Sequence, residues 1–360
     1  MLEHGGELIA ASKKYGFSIR DWLDLSTGIN PNGWPVPEVP ATVWRRLPEV
    51  GDDLIRAAAA YYQTSSLLPV AGSQAAIQVL PKLRSRCRVG VLAPSYGEHG
   101  HAWSRAGHIV ERISADDIDA AMAELDVLVL CNPNNPTAVV FSPETMLGWH
   151  GKLVARGGWL VVDEAYIDAT PESSIARYTG KEGLVVLRSI GKFFGLAGIR
   201  AGFILAWPEL LGAIRDELGP WTTSGPARWV ATRALQDSSW QVSTREHLKR
   251  SSETLRALLS RHALAPSGTT ALFAWIKIDT AAALHDSLSR RAILTRYFEA
   301  PSSIRLGLPG NEAEWRRLEN ALREIKDTAV AAAVAANQAC RITRPESRPS
   351  ANKAVPPRRG

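Results

Sequence analysis

The first two thirds of the chain alternate between short apolar runs and helix-length segments of mixed composition. The runs are rich in Val, Leu and Ile and lie at 89–94, 127–133, 159–166, 184–190 and 201–206. Runs this apolar are typical of strands that are covered on both faces. The segments between them include 73–85, 115–124 and 142–156. The alternation predicts an α/β fold, with a mainly parallel sheet and helices on both of its faces.

The pattern changes after about residue 207. Helix-like sequence at 207–218 and 226–263 is followed by strand-like runs at 271–278, 292–298 and 303–308, with helical stretches at 280–290 and 311–335. We interpret this part as a smaller α+β domain. The predicted organisation is an N-terminal arm over 1–30, a large domain over 31–215, a small C-terminal domain over 216–338 and a disordered basic tail over 339–360.

Charge and composition narrow the class of protein. The chain has a formal net charge of +6, and residues 341–360 supply six Lys or Arg against one Glu, so the rest is near neutral. This argues against a nucleic-acid-binding face. The tail is expected to be solvated or to contact an anionic partner weakly. No apolar run is long enough for a membrane span, and no secretory signal is recognisable, so we expect a cytoplasmic protein.

The cysteines are Cys87, Cys131 and Cys340. They are too few and too scattered for a disulfide framework or a zinc site, so no metal is expected.

Polar residues follow three consecutive apolar runs, at 132–137, 163–166 and 189–192. In open α/β sheets, ligands bind beyond the carboxyl ends of the strands, so these residues are candidates for one site. Lys192 lies in a Gly-rich turn and is a candidate Schiff-base nucleophile, while Arg200 and Ser189 could hold a phosphate. Taken singly, each also fits an ordinary loop lysine or surface residue.

Other residues point to the same kind of ligand. Asp163 ends a strongly apolar run, where a carboxylate needs a cationic partner such as a protonated cofactor ring nitrogen. Tyr166 and Asn135 could reach a ring oxygen. The Gly-Ser turn in AGSQAAI (71–77) could present backbone N–H groups to an anion, and Tyr96 could stack on a ring. A helix cap, a turn and a half-buried tyrosine remain the alternatives.

Taken together, N-P-x-N-P-T, then D-x-x-Y, then S-x-x-K-x5-G-x-R-x-G resemble the fold-type-I pyridoxal-phosphate enzymes. The branch is the one with the aspartate and histidinol-phosphate aminotransferases, and the resemblance covers residues 1–335. It implies a two-domain subunit, a mainly parallel seven-stranded sheet and active sites at a homodimer interface. The roles it implies are Lys192 as the lysine bound to the cofactor, Asp163 as the partner of the pyridine nitrogen, Asn135 and Tyr166 as contacts of the ring oxygen, Ser73, Gln74, Ser189 and Arg200 as phosphate contacts, Tyr96 as the stacking ring, and Arg305 as a substrate contact.

Two positions depart from the family pattern. Ala138 stands where the family usually has Gly, which we expect to change a turn with little effect. Leu47 stands where the family often has a Tyr that reaches the phosphate of the neighbouring subunit. The cross-subunit phosphate contact is therefore not predicted, although dimerisation still is.

The segments 4–16, 23–33, 163–168 and 304–310 resemble the threonine-phosphate decarboxylases of cobalamin biosynthesis, a group within this family. The resemblance implies decarboxylation of L-threonine O-3-phosphate, with substrate contacts from His4, Asn30, Arg296 and Arg305. A terminal residue and a turn residue are the plain alternatives for His4 and Asn30.

Two other functions compete. An aminotransferase acting on histidinol phosphate or a similar substrate would use the same cofactor residues. A pyridoxal-dependent transcriptional regulator would place a basic DNA-binding domain first, and only about thirty residues precede the predicted sheet. We therefore expect a small phosphorylated amino acid as the partner, with no nucleic acid and no membrane.

Overall fold

The computed structural model describes residues 4–49 and 51–342, with side chains described up to residue 328. In chain order the strands are β1 (Leu23–Asp24), β2 (Leu67–Val70), β3 (Arg88–Leu92), β4 (Ile109–Ile113), β5 (Val127–Cys131), β6 (Trp159–Asp163), β7 (Leu184–Ser189), β8 (Gly202–Leu205), β9 (Gly268–Thr269), β10 (Phe273–Lys277), β11 (Ile293–Leu294), β12 (Arg296–Phe298) and β13 (Ser303–Gly307). The helices are α1 (Leu8–Tyr15), α2 (Ala41–Arg45), α3 (Asp53–Tyr62), α4 (Ser73–Val79), α5 (Gly97–Arg105), α6 (Ile118–Ala121), α7 (Pro143–Val154), α8 (Pro208–Leu218), α9 (Gly225–Gln236), α10 (Ser238–Arg261), α11 (Ala281–Ser289) and α12 (Glu312–Ile342).

The large sheet has seven strands in the order β2-β8-β7-β6-β5-β3-β4. The neighbours from β7 to β4 are parallel, whereas β8 is antiparallel to both β7 and β2. The predicted mainly parallel sheet is therefore confirmed. The strands β2 and β4 were not predicted. Both lie at sheet edges, where β2 contains a proline and β4 has mostly exposed or half-buried positions, so neither has a continuous apolar run.

The two faces of the sheet are covered by different helices. Along β5, Val127 and Val129 point to one face and Leu128 and Leu130 to the other, and all four are buried. The first face packs against α4, α5 and α8, and the second against α3, α7 and α9. Because both faces are buried, β5 is apolar at every position, which is the pattern predicted from the sequence.

The C-terminal part contains a four-stranded antiparallel sheet in the order β12-β13-β10-β9. The run predicted at 292–298 divides in two, since β11 pairs in parallel with β1 while β12 pairs with β13. The helix predicted over 226–263 is broken at Asp237, whose carboxylate accepts the N–H of Trp240 and caps α10.

The last described helix, α12, continues past the predicted end at 335 and reaches Ile342. Residues 343–360 of the predicted tail lie outside the described residues, and the division of the chain at 30, 215 and 338 stays a prediction. Within the described residues, the helices include none with the length and apolar character that a membrane span requires.

Candidate active site

Three neighbouring parallel strands, β5, β6 and β7, end at the same edge of the large sheet. Asn135 follows β5, Tyr166 follows β6 and Lys192 follows β7. All three line one cleft with a volume of about 390 Å³. The structure therefore brings together side chains that the sequence places after three separate strands.

The Lys192 amine lies against a backbone carbonyl of the N-terminal segment. Its Nζ donates to the carbonyl oxygen of Thr27 at 3.3 Å and lies 5.5 Å from the centre of the Tyr166 ring. The Tyr166 hydroxyl donates to the same carbonyl at 3.4 Å. Thr27 thus holds the two predicted cofactor residues close to each other. Sequence reasoning missed it because a backbone oxygen leaves no residue-type signal.

The lysine loop is hydrogen-bonded to residues 30–34. The backbone N–H of Asn30 donates to the carbonyl of Lys192 at 3.0 Å, and its side-chain amide donates to the carbonyl of Phe193 at 2.9 Å. The N–H of Trp34 donates to the carbonyl of Phe194 at 2.8 Å. Asn30 therefore positions the loop that carries Lys192, and its contact with substrate stays a prediction.

Asp163 is buried and has a histidine partner that the sequence analysis did not single out. Its Oδ2 lies 2.9 Å from Nε2 of His99, which is also buried, and its Oδ1 accepts the N–H of Ala165 at 3.1 Å. Cys131 adjoins this pair, and the ligand-type atoms of the three side chains lie within 4.8 Å of one another. His99 follows Tyr96 by three residues, so its place on the first turn of α5 was the available signal.

The charge of His99 follows from these contacts. Burial by itself lowers its pKa because it disfavours the imidazolium, but hydrogen bonds to Asp163 and Cys131 outweigh burial and raise the pKa to about 10. His99 is therefore cationic at neutral pH. The carboxylate of Asp163 has one cationic neighbour within the protein and can face another across the cleft.

The predicted phosphate residues meet at the start of α4. An added Cβ on Gly72 would lie 2.7 Å from Nη2 of Arg200, so the guanidinium lies directly against this turn. Ser189 lies opposite Gly202 in the β7–β8 pairing, and an added Cβ on Gly202 would lie 2.7 Å from the backbone nitrogen of Ser73. Helix N-terminal N–H groups lack partners within the helix. Together with the guanidinium of Arg200, and with Ser73 and Ser189 on the adjoining backbone, they form a candidate cradle for a phosphate.

Gln74 and Tyr96 are hydrogen-bonded to each other. The Tyr96 hydroxyl donates to Oε1 of Gln74 at 3.2 Å. His4 lies over this pair, with its ring centre 6.0 Å from that of Tyr96 and its Nε2 3.0 Å from Oε1 of Glu98. Both His4 and Tyr96 line the cleft, so the N-terminal arm forms part of its wall.

Arg305 is buried on the far side of the cleft. Its guanidinium donates to Oδ1 of Asn135 and to the carbonyl oxygen of Ser26, and it lies 5.2 Å from the centre of the Phe273 ring. Arg296 also lines the cleft. The predicted substrate arginines and the predicted ring-oxygen contact Asn135 therefore share one wall.

The two departures from the family pattern have visible consequences. Ala138 has a φ of +64°, in the left-handed region that favours glycine. The alanine therefore adopts a strained backbone conformation in the loop that carries Asn135, and its expected small effect stays a prediction. Leu47, the other departure, lies at the surface of the chain, with 64% of its surface exposed.

Residues 46–322 match the family model described as Aminotransferase class I and II. Threonine-phosphate decarboxylase of Pseudomonas aeruginosa is 53% identical over 329 residues, which cover 91% of this chain and 99% of that protein. A second protein of that name, from Sinorhizobium sp, is 41% identical over 330 residues, 90% of this chain and 98% of its own.

Among solved structures, histidinol-phosphate aminotransferase from Sinorhizobium meliloti in complex with pyridoxal-5′-phosphate has a TM-score of 0.80 at 21% identity, covering 91% of this chain and 96% of that one. This likeness confirms the predicted fold. Because the family model spans most of the sequence, the chain belongs to the class I and II aminotransferase family.

Proposed function

We propose that the chain is a pyridoxal-phosphate-dependent decarboxylase that converts L-threonine O-3-phosphate to (R)-1-amino-2-propanol O-2-phosphate and CO₂. One observation carries this proposal: Lys192, Arg296, Arg305 and His4 line the cleft, and its described lining residues include no Asp or Glu. A substrate with both a carboxylate and a phosphate matches such a surface. The names of two relatives that match almost end to end support the same substrate.

The residues present fit pyridoxal phosphate. Lys192 would bind it covalently, and Asp163 would pair with its ring nitrogen. The cradle of Ser73, Ser189 and Arg200 would hold its phosphate. Gly72 supports this fit, because an added Cβ there would press on the guanidinium of Arg200. When bound, the cofactor supplies an acceptor for the electron pair that a departing carboxylate leaves on Cα.

The protein's own contribution is orientation. Decarboxylation requires the bond from Cα to the carboxylate, and not the bond to hydrogen, to stand perpendicular to the cofactor ring. Arg305 and Arg296 would set this geometry from one wall of the cleft and His4 from the N-terminal arm, by binding the anionic groups of the substrate. Lys192, whose amine donates to the carbonyl of Thr27, would hold the proton that returns to Cα.

The test of the proposed function is release of CO₂ from L-threonine O-3-phosphate without a keto-acid acceptor. We expect stoichiometric CO₂ and the amino alcohol phosphate. Release only with 2-oxoglutarate, or none at all, would contradict decarboxylation. Transamination of histidinol phosphate under the same conditions would favour the competing aminotransferase.

The variant Lys192→Ala tests the proposed covalent bond between Lys192 and the cofactor. Because the amine both binds the cofactor and moves the proton, we expect turnover to be abolished and the visible cofactor absorbance and its fixation by borohydride to be lost. A variant that keeps its turnover would remove the central assignment. Lys181→Ala, at an exposed position near β7, is the control and should retain full activity.

We also propose that the enzyme acts as a homodimer in the cytoplasm, within cobalamin biosynthesis. The cofactor residues of one chain are close together, but Leu47 replaces the tyrosine that the family often supplies across the dimer. Light scattering of the purified protein at micromolar concentration should give twice the 39.1 kDa mass of the chain. A monomer that is fully active would contradict the dimer.

A further inference from the structure

Glu98 lies behind the cleft and contacts two of its walls at once. It is half-buried, with a side chain that is 13% exposed, and it follows the stacking candidate Tyr96 by two residues on α5. Its Oε1 lies 3.0 Å from Nε2 of His4, on the N-terminal arm. Its Oε2 accepts the side-chain amide of Gln74 at 2.8 Å and that of Gln78 at 3.3 Å.

The residues that Glu98 holds belong to different parts of the site. Gln74 follows Ser73 at the start of α4, beside the cradle for the cofactor phosphate, and it accepts the Tyr96 hydroxyl. His4 lines the cleft from the arm. One carboxylate therefore joins the arm, the stacking ring and the phosphate end of the site.

The hydrogen bonds of Glu98 use both oxygens of its carboxylate. The contacts of Glu98 come from N–H groups on two sides, and an ionised carboxylate is a pure acceptor that can receive donors on both oxygens. This fixes Nε2 of His4 as the nitrogen that faces Glu98 and leaves Nδ1 as the nitrogen that can face a ligand. An amide in place of the carboxylate presents an NH₂ group to one of the two sides, where it meets the amide donor of Gln74 or requires Nε2 of His4 to give up its proton and accept.

We propose that Glu98 is a positioning residue that holds His4 and the N-terminal arm over the cleft and so sets the affinity for the phosphorylated substrate. This inference rests on the proposed function for the identity of the substrate. Glu98 acts through His4, and it is not among the residues that line the cleft.

The first measurement is substrate affinity. In Glu98→Gln we expect the Kd for L-threonine O-3-phosphate, followed by cofactor absorbance, to rise about 10-fold because a hydrogen bond to a charged group is lost. The value of kcat should change less than the Kd. Glu98→Ala, which removes both oxygens, should weaken binding at least as much. Gln78→Ala is the matched control, since it removes a Glu98 contact that joins neither the arm nor Tyr96, and its Kd should equal that of the wild type.

The second measurement separates positioning from general packing. If Glu98 acts through His4, the double variant Glu98→Gln with His4→Ala should bind no more weakly than His4→Ala alone. Losses that multiply, or an unchanged Kd in both Glu98→Gln and Glu98→Ala, would overturn the proposal. So would equal loss in Gln78→Ala and Glu98→Gln.

The third measurement needs no substrate. Amide hydrogen exchange over residues 4–12 should accelerate in Glu98→Gln and not in Gln78→Ala, because only the former releases the arm. Unchanged exchange in Glu98→Gln would overturn the inference even if the wild type were inactive. Absence of CO₂ from the wild type would instead contradict the proposed function, so the two failures are distinguishable.

Discussion

Two arginines of this chain are almost equally buried but have opposite surroundings. Arg188 is 2% exposed and contacts the carboxylates of Glu164, at 2.8 Å, and Asp168. Arg305 is 4% exposed, and its hydrogen bonds go to neutral acceptors, the amide of Asn135 and the carbonyl of Ser26. The first charge is neutralised by the protein and the second is not.

The difference distinguishes a structural charge from a binding charge. Burial alone lowers the pKa of Arg188, but Asp168 and Glu164 more than reverse this, so the guanidinium stays charged. Burial raises the pKa of Glu164 even beside this cation. This cluster connects β7 with the segment that follows Asp163. A buried cation without a carboxylate, in contrast, is costly until an anion binds. Arg305 therefore indicates an anionic ligand more clearly than its motif does.

The largest expected effect is the loss of stability when Arg188, the structural arginine, is replaced. Arg188→Met leaves two buried carboxylates without a cation, so we expect the free energy of unfolding to fall by about 3–5 kcal/mol. Urea denaturation measures it. Arg88→Met removes an exposed pair with Glu111 and should cost less than about 1 kcal/mol. Equal losses in the two variants would show that the buried cluster is not special.

The matched substitution at the arginine assigned to binding is Arg305→Met. Because its partners are neutral, we expect a smaller loss of stability than in Arg188→Met. The value of kcat/KM for L-threonine O-3-phosphate should fall by about 100-fold, as expected when a buried charge partner of a ligand is removed. Steady-state kinetics and urea denaturation of both variants decide the comparison. A loss of stability as large as that of Arg188→Met, with kcat/KM preserved, would reverse the assigned roles.

The pH dependence of the unfolding free energy tests the charge of a second buried cation, His99, which is paired with Asp163. The folded-state pKa of His99, about 10, lies above its ordinary value of 6.5, so protonation favours the folded state. This contribution is complete below pH 6.5, declines between pH 6.5 and 10, and is lost above. The wild type should therefore exceed His99→Gln in unfolding free energy most at pH 6 and least near pH 10. A difference that grows as the pH rises would contradict the cationic assignment.

The smallest expected effect is a change in stability at Ala138, in the loop that carries Asn135, the partner of Arg305. Ala138 adopts a left-handed conformation, so Ala138→Gly relieves strain while adding unfolded-chain entropy, and we expect a net gain of about 0.5–1 kcal/mol. Thermal unfolding monitors this gain. Ala155→Gly at the end of α7, where φ is −58°, is the control and should destabilise. A destabilised Ala138→Gly would contradict the strain.

Sequence reasoning recovered what depends on residue type and order. The central strands were predictable because burial on both faces leaves long apolar runs, as in β5. The motif residues Lys192, Asp163 and Tyr166 were predictable because the chemistry restricts their residue types. The structure places Lys192 and Tyr166 in one cleft, and their roles there stay predictions.

What escaped prediction depends on tertiary contacts. The pairing of His99 with Asp163 joins residues 64 positions apart, and the carbonyl of Thr27 could be supplied by any residue type. The strain at Ala138 is a backbone property that a motif match does not show. Edge strands such as β4 were missed because partial exposure removes the apolar run.

The segment from Leu25 to Asn30 is attached at its two ends to different parts of the molecule. The N–H of Leu25 bonds to the carbonyl of Leu294, beside the C-terminal sheet, and five residues later the N–H of Asn30 bonds to the carbonyl of Lys192. A rotation of the C-terminal part against the large sheet would extend this short segment, which has Thr27 at its middle. This segment therefore links the C-terminal part to the reactive amine, and a spectroscopic label on it would show whether ligand binding moves the two parts.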